Sequence, residues 1–394
     1  MNLDIKSDNG WIIPLYKIYT DDEDVNLITK IIRRGSQWAI GPEIEELEKN
    51  IKDYVGCDYC VTLNSGTSAL HASLLAYNIK ASDEVIVPSF SFISTVNAVL
   101  FVDATPVFSD IEEETYGLNP DLIKSAISNK TKAIIPMDYG GSSCKIQEIQ
   151  KIANENKITL IEDAAEALGA KVNGVKVGTV ADVSIFSFCG NKVLTTGEGG
   201  AITTNSREIY EKLKTIRSHG RVDKINYFEN PEMANYVGVG YNWRMSSITA
   251  ALGITQLQKL DKLINLRQKN AMLLTSKLSK HPQITTPNPP NGYEHIYQMY
   301  TIKLVNKKIR NRLREYLLKK KIFCKVYFSP IHMTEFYKNK FPKYLGKLKI
   351  TEKISELLLT LSIKIVELNK NAIKYWHIIN KMKNLILINK IFKI

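Results

Sequence analysis

The residue best placed in this sequence for covalent chemistry is a lysine in a short polar turn. Lys192 closes Ser187-Phe-Cys-Gly-Asn-Lys192, after the strand-like Val183-Ser-Ile-Phe186 and before the Gly-rich Thr195-Thr-Gly-Glu-Gly-Gly200. A strand end is a rigid anchor for a functional side chain. An amine held there, partly desolvated and near other positive groups, loses proton affinity, so it can attack an aldehyde and later move protons near neutral pH. A lone lysine is ordinarily a solvated charge, so its partners decide.

Three further segments supply such partners. Ile161-Glu-Asp-Ala-Ala-Glu166 ends a second apolar run with acids, of which Asp163 and Glu166 face chemistry or simply favour a helix N-terminus. Asn64-Ser-Gly-Thr-Ser-Ala-Leu70 is a strand-to-helix turn whose small residues let backbone N–H groups at Gly66 and Thr67 approach a phosphate, the plainer reading being an N-cap. Pro88-Ser-Phe-Ser-Phe-Ile-Ser-Thr95 offers Phe90 and Phe92 either as flat contacts for a ring or as core phenylalanines. A lysine, an acid for a pyridine nitrogen, phosphate donors and a stacking ring are together what pyridoxal 5'-phosphate needs.

In order along the chain, NSGTSAL (64–70), VPSFSFISTVNAV (87–99), IEDAAEALGA (161–170), FSFCGNKVLTTGEGG (186–200) and GYNWRMSSITAALGITQL (240–257) resemble the DegT/StrS family of pyridoxal-phosphate-dependent sugar aminotransferases. The resemblance spans roughly residues 10–340. It implies an α/β fold-type I transferase: a mostly parallel seven-stranded sheet domain, a small α+β C-terminal domain, and a homodimer with shared active sites. Residue by residue, it implies Lys192 as the Schiff-base lysine, Asp163 as the pyridinium partner and Glu166 as the ring-hydroxyl contact. Phe92 becomes the stacking ring, Gly66, Thr67 and Ser187 phosphate ligands, and Asn242, beside Arg244, the asparagine that reaches the partner subunit's phosphate.

The wording GNKVLTTGEGG resembles the members that aminate C4 of nucleotide-linked 4-keto-6-deoxyhexoses, including GDP-perosamine synthases, with L-glutamate as the expected donor. Family members that carry histidine at the lysine position act as sugar 3-dehydratases, and Lys192 argues against that activity. Alternatives are amination of a cyclic ketone without a nucleotide and a non-catalytic member with a basic binding surface. Pro330-Ile-His332 and His219 read more simply as structural histidines. After about residue 360 the resemblance fades, where LLLTLSIKIVELNKNAIKYW from Leu357 replaces a Leu-Pro-x-x-Pro-like segment.

Apolar β-rich runs alternating with helical patterns must position these residues. Strands are expected at 59–63, 84–87, 106–108, 133–136, 159–161, 183–186 and 201–203. Asn119 and Pro120 predict a helix start, and Ile146, Ile149, Ile152 and Ala153 line one face of another helix. One long helix is expected over 246–278, then a TTPNPPNG linker (285–292), strands over 297–304 and 323–327, and a basic helix over 308–320. The large cofactor-binding domain, with its N-terminal arm, is read as 1–255 and the small domain as 256–394.

The 394 residues, 44% hydrophobic and 24% charged, suit two or three globular domains. No signal-like or membrane-length apolar run is present, so the cytoplasm is the expected compartment. The five cysteines are scattered, and Cys57-Asp-Tyr-Cys60 lacks a second ligand pair, so neither disulfides nor metal are expected. The net charge of +13 divides unevenly: residues 1–255 carry −9 and 256–394 carry +22. Such asymmetry is either a field that draws in anions such as nucleotide diphosphates or a lysine-rich solvated surface, and the interspersed lysines lack the aromatic and glycine pattern of nucleic-acid binders. Neither nucleic acid nor membrane is an expected partner.

Overall fold

The computed structural model describes residues 10–222, 231 and 233–363. Seven short apolar segments build one sheet, in spatial order Tyr59–Leu63, Gly200–Thr204, Val183–Ser187, Thr159–Asp163, Thr131–Ile134, Glu84–Pro88 and Thr105–Ser109. Gly200–Thr204 runs antiparallel to both neighbours. The other pairings are parallel. All seven expected strands are present, because strands covered on both faces must be apolar almost throughout.

Alternation sends successive side chains into different cores. Val61, Leu63, Ile161 and Ile185 pack with Leu70 and Leu74 of the helix Gly66–Ala76. On the opposite face Phe186 and Ala201 pack with Leu47 and Ile51 of Pro42–Val55 and Ile254 of Ser247–Gln258. Each fully buried aliphatic or aromatic side chain contributes about 1.5–3 kcal/mol. Parallel strands all end on one edge of the sheet, and the loops leaving that edge are where such folds hold ligands. Ser187, Asp163 and the turn after Leu63 all lie there.

The expected helix starts are observed: Asn119 caps Pro120–Ala126, and Ile146–Asn156 buries Ile146, Ile149, Ile152 and Ala153. The long helix expected over 246–278 is two, Ser247–Gln258 and Leu260–Leu278. Lys259 separates them, its buried amine paired with Asp21 and, at 2.8 Å, with Asp24. Satisfying that ammonium inside the protein overrides the continuous helical periodicity.

A second, four-stranded antiparallel sheet has the order Ile284–Thr285, Tyr300–Leu304, Leu358–Leu361, Cys324–Lys325. The strand expected from residue 297 begins only at Tyr300, because Ile296 and Met299 donate their N–H groups to Gly141 and Gly140 at 2.9 Å instead. Leu358–Leu361 is an interior strand of this sheet although it lies where the motif resemblance was expected to fade. The tail from 364 lies outside the described residues. No helix among the described residues is long and apolar enough to cross a membrane.

Candidate active site

The carboxyl edge of the large sheet gathers most of the residues singled out in the sequence. Lys192 Nζ lies 3.3 Å from Glu166 Oε1, with the two side chains 13% and 5% exposed. The other Glu166 oxygen accepts the Gly140 N–H at 3.0 Å. The charged neighbour of the amine is therefore an acid held in place by backbone, whereas other positive groups were expected around it.

Asp163, the last residue of its strand, is buried. Its Oδ2 accepts the Thr95 hydroxyl at 2.6 Å and its Oδ1 accepts the Ala165 N–H at 3.3 Å. Thr95 in turn lies 2.6 Å from Ser91 Oγ. Burial pushes the Asp163 carboxyl up from its ordinary range, against the Thr95 and Ala165 hydrogen bonds and the Lys192 charge, which pull it down. A buried acid in this state favours a cationic N–H partner that would share its site.

Ser65 caps the helix Gly66–Ala76 by accepting the Ser68 N–H at 3.1 Å, so the plain capping reading of this turn is correct as far as Ser65 goes. The first N–H groups of a helix have no intrahelical partner and carry the positive end of its dipole. The helix start at Gly66 and Thr67 thus favours an anion, and Ser187 lies against it. A Cβ added at Gly66 would stand 3.0 Å from Ser187 Cβ, and one at Gly200 would stand 2.6 Å from the Ser65 carbonyl carbon. Glycine at both positions lets turn and sheet approach, and the helix start with Ser187 is the candidate cradle for the phosphate. The Thr67 hydroxyl is 2.9 Å from Ser94 Oγ, tying the cradle to the helix Ser94–Phe101. Gly66→Ala is expected to crowd Ser187 and weaken pyridoxal phosphate binding about tenfold, within the usual 1–3 kcal/mol of overpacking. Fluorescence titration of the cofactor-free protein checks this; an unchanged Kd would remove Gly66 from the cradle.

The two phenylalanines separate cleanly. Phe90 is fully buried, 5.2 Å from the Tyr139 ring, whereas Phe92 is 58% exposed and 6.4 Å from Phe328. Only Phe92 keeps a face free for a ligand. Asn242 is also exposed, and its carbonyl accepts from Asn64 Nδ2 at 3.4 Å. Arg244 donates to Ser218 Oγ at 3.1 Å. His332 is a core histidine: fully buried, its ring is 2.6 Å from Ser89 Oγ and 3.1 Å from Glu352 Oε1.

Thr95, Gly140, Gly200 and Gln298 were not singled out in the sequence. Thr95 and Gly200 stand within recognised motifs, in a Ser/Thr-rich run and a Gly-Gly pair, and that composition was the available signal.

A mostly parallel seven-stranded sheet with a lysine, a buried acid and a helix-start phosphate cradle on its carboxyl edge defines a fold-type I transferase. The donor set fits pyridoxal phosphate: the helix start at Gly66 and Thr67, beside Ser187, suits a phosphate, and the buried Asp163 carboxyl suits a ring N–H. The profile of the DegT/DnrJ/EryC1/StrS aminotransferase family matches residues 19–382, further along the chain than the motif resemblance extends. A GDP-perosamine synthase of Escherichia coli O157:H7 is 33% identical over 84% of this chain and 89% of its own length. Among solved structures, PseC of Helicobacter pylori, an aminotransferase involved in pseudoaminic acid biosynthesis, superposes with TM-score 0.86 at 28% identity, covering 94% of this chain and 98% of that one. The putative sugar aminotransferase Spr1654 of Streptococcus pneumoniae, in its PLP-form, gives TM-score 0.85 at 26% identity, covering 95% and 98%. The chain belongs to the DegT/DnrJ/EryC1/StrS aminotransferase family and is a pyridoxal-phosphate-dependent sugar aminotransferase.

Proposed function

We propose that this enzyme moves an amino group from L-glutamate to C4 of a nucleotide-linked 4-keto-6-deoxyhexose, for the synthesis of a surface polysaccharide or glycan. The observation that carries the chemistry is the placing of the Lys192 amine 3.3 Å from Glu166, on the same sheet edge as the buried Asp163 carboxyl and the Gly66–Ser187 cradle. Pyridoxal phosphate supplies an aldehyde for the amino group and a ring that accepts the electron pair left when a Cα–H bond breaks. Lys192 is the residue to which it would be bound, and its freed amine is the group to carry the proton between carbons. Asp163 would keep the ring nitrogen protonated, Glu166 would orient the ring hydroxyl, and Phe92 would limit ring tilt. Gly66, Thr67 and Ser187 would hold the phosphate and so anchor the cofactor at one end.

The nucleotide is supported by the likeness to a GDP-perosamine synthase and by the +22 charge of residues 256–394, which favours a diphosphate. The exposure of Asn242 suits a side chain that completes the site of a second subunit in a homodimer. The test is a panel of GDP- and UDP-linked 4-keto-6-deoxyhexoses alongside a cyclic ketone without nucleotide, each with glutamate. A 4-amino sugar nucleotide with matching 2-oxoglutarate release is the expected result; turnover of the free cyclic ketone alone would overturn it.

A further inference from the structure

Gln298 is a buried residue of the chain segment leading into the second sheet, 106 positions after the lysine in sequence. Its Oε1 accepts the Val193 N–H at 2.9 Å, and its Nε2 donates to the Asn191 carbonyl at 2.8 Å. Those two groups belong to the two peptide planes that flank the Lys192 Cα. A single planar amide therefore fixes both, and with them the direction in which the Lys192 side chain leaves the backbone.

The clamp is itself braced. Arg267, buried on the helix Leu260–Leu278, donates Nη1 to the Tyr297 carbonyl at 3.0 Å and lies 3.4 Å from the Gln298 carbonyl. A Cβ at Gly141 would stand 2.7 Å from the Gln298 nitrogen, so the Gly140–Gly141 turn packs directly against this segment. Gly140 also accepts from Met299 at 2.9 Å while giving its own N–H to Glu166. One segment, 296–299, thus supports both members of the Lys192 and Glu166 pair: the lysine through its backbone and the acid through Gly140.

We propose that Gln298 is a positioning residue for amino transfer, holding the peptides on either side of Lys192 so that its amine meets the cofactor's aldehyde. It touches neither cofactor nor substrate and acts through Lys192, so it rests on the reading of Lys192 as the cofactor lysine. Removing the amide leaves the buried Val193 N–H and the half-buried Asn191 carbonyl without this partner, which they relieve by turning the Lys192 backbone.

The test compares the full-length parent, Gln298→Leu and Gln298→Glu, each stripped of cofactor and given pyridoxal phosphate. Covalent capture is followed by absorbance and by mass of the borohydride-treated Lys192 peptide, per folded molecule. Gln298→Leu is expected to capture at least about tenfold more slowly and to lose about 10²-fold in kcat, with KM for glutamate within about twofold, as a misplaced catalytic group does. Gln298→Glu keeps the acceptor for Val193 and loses the donor to Asn191, so it falls between, and it carries the test if the leucine variant does not fold. Capture and kcat at parental values in the folded variants, with only Tm lowered, would make Gln298 a packing residue and overturn the proposal. A parent that captures the cofactor on a different lysine would overturn the reading of Lys192, and the proposal with it.

Discussion

Lys192→Ala is expected to lower amino transfer by at least about 10³-fold while the protein still binds pyridoxal phosphate. The magnitude follows from two losses at one position: the nucleophile that holds the aldehyde, and the base that moves a proton in the transition state, worth about 10²–10⁴-fold alone. Binding should survive because the Gly66–Ser187 cradle and Asp163 are built from other elements. The fold should survive too: Glu166 loses its ion pair, but its second oxygen keeps the Gly140 N–H. The check is paired: steady-state transfer with glutamate, and mass spectrometry after borohydride, in which the cofactor mass appears on the Lys192 peptide of the parent and on no peptide of the variant. Transfer above about a tenth of the parental rate, or the mass on another lysine, would reject the assignment.

What the sequence makes legible is whatever depends on neighbours in the chain. The strands are readable because burial on both faces leaves each an apolar run, and the lysine, acid and turn are readable because each sits at a strand end. Contacts that close over long loops are not. Thr95 meets Asp163 across 68 positions, and nothing in a Ser/Thr-rich turn says which hydroxyl will point at the acid. Gln298 reaches Val193 across 105. The break at Lys259 is likewise tertiary, for the helical period runs through it and only the distant Asp21 and Asp24 make a turn there favourable. Leu358–Leu361 misleads in the opposite sense, being core strand by burial and hydrogen bonding, and within the family profile, where the motif wording fades. Burial constrains hydrophobicity and alternation there, but not identity.

Asp163→Asn is expected to cost about 10²–10³-fold in kcat, as removing one preorganised electrostatic partner of a developing charge does. The substitution is close to isosteric: one oxygen remains for the Ala165 N–H, and the new amide can donate to Thr95, whose hydroxyl turns to accept. What it cannot do is hold a proton on a pyridine nitrogen by charge. A stability readout separates that loss from misfolding, and its sign follows from burial. The Asp163 carboxyl is pushed above its ordinary value by desolvation, so the cofactor-free native state binds more protons than the unfolded chain between the ordinary and the raised value. Stability contributed by the neutral acid is full below the ordinary range and is lost as pH rises through the raised one. Asp138 and Glu162 beside it are raised by the same cause. Cofactor-free Asp163→Asn should therefore lose less Tm than the parent as pH rises above the ordinary carboxylate range, even as its loaded form loses activity. A variant with the parental slope of Tm against pH would mean that burial does not raise the Asp163 carboxyl in the native protein, whereas kcat near the parental value would remove Asp163 from its role toward the ring nitrogen.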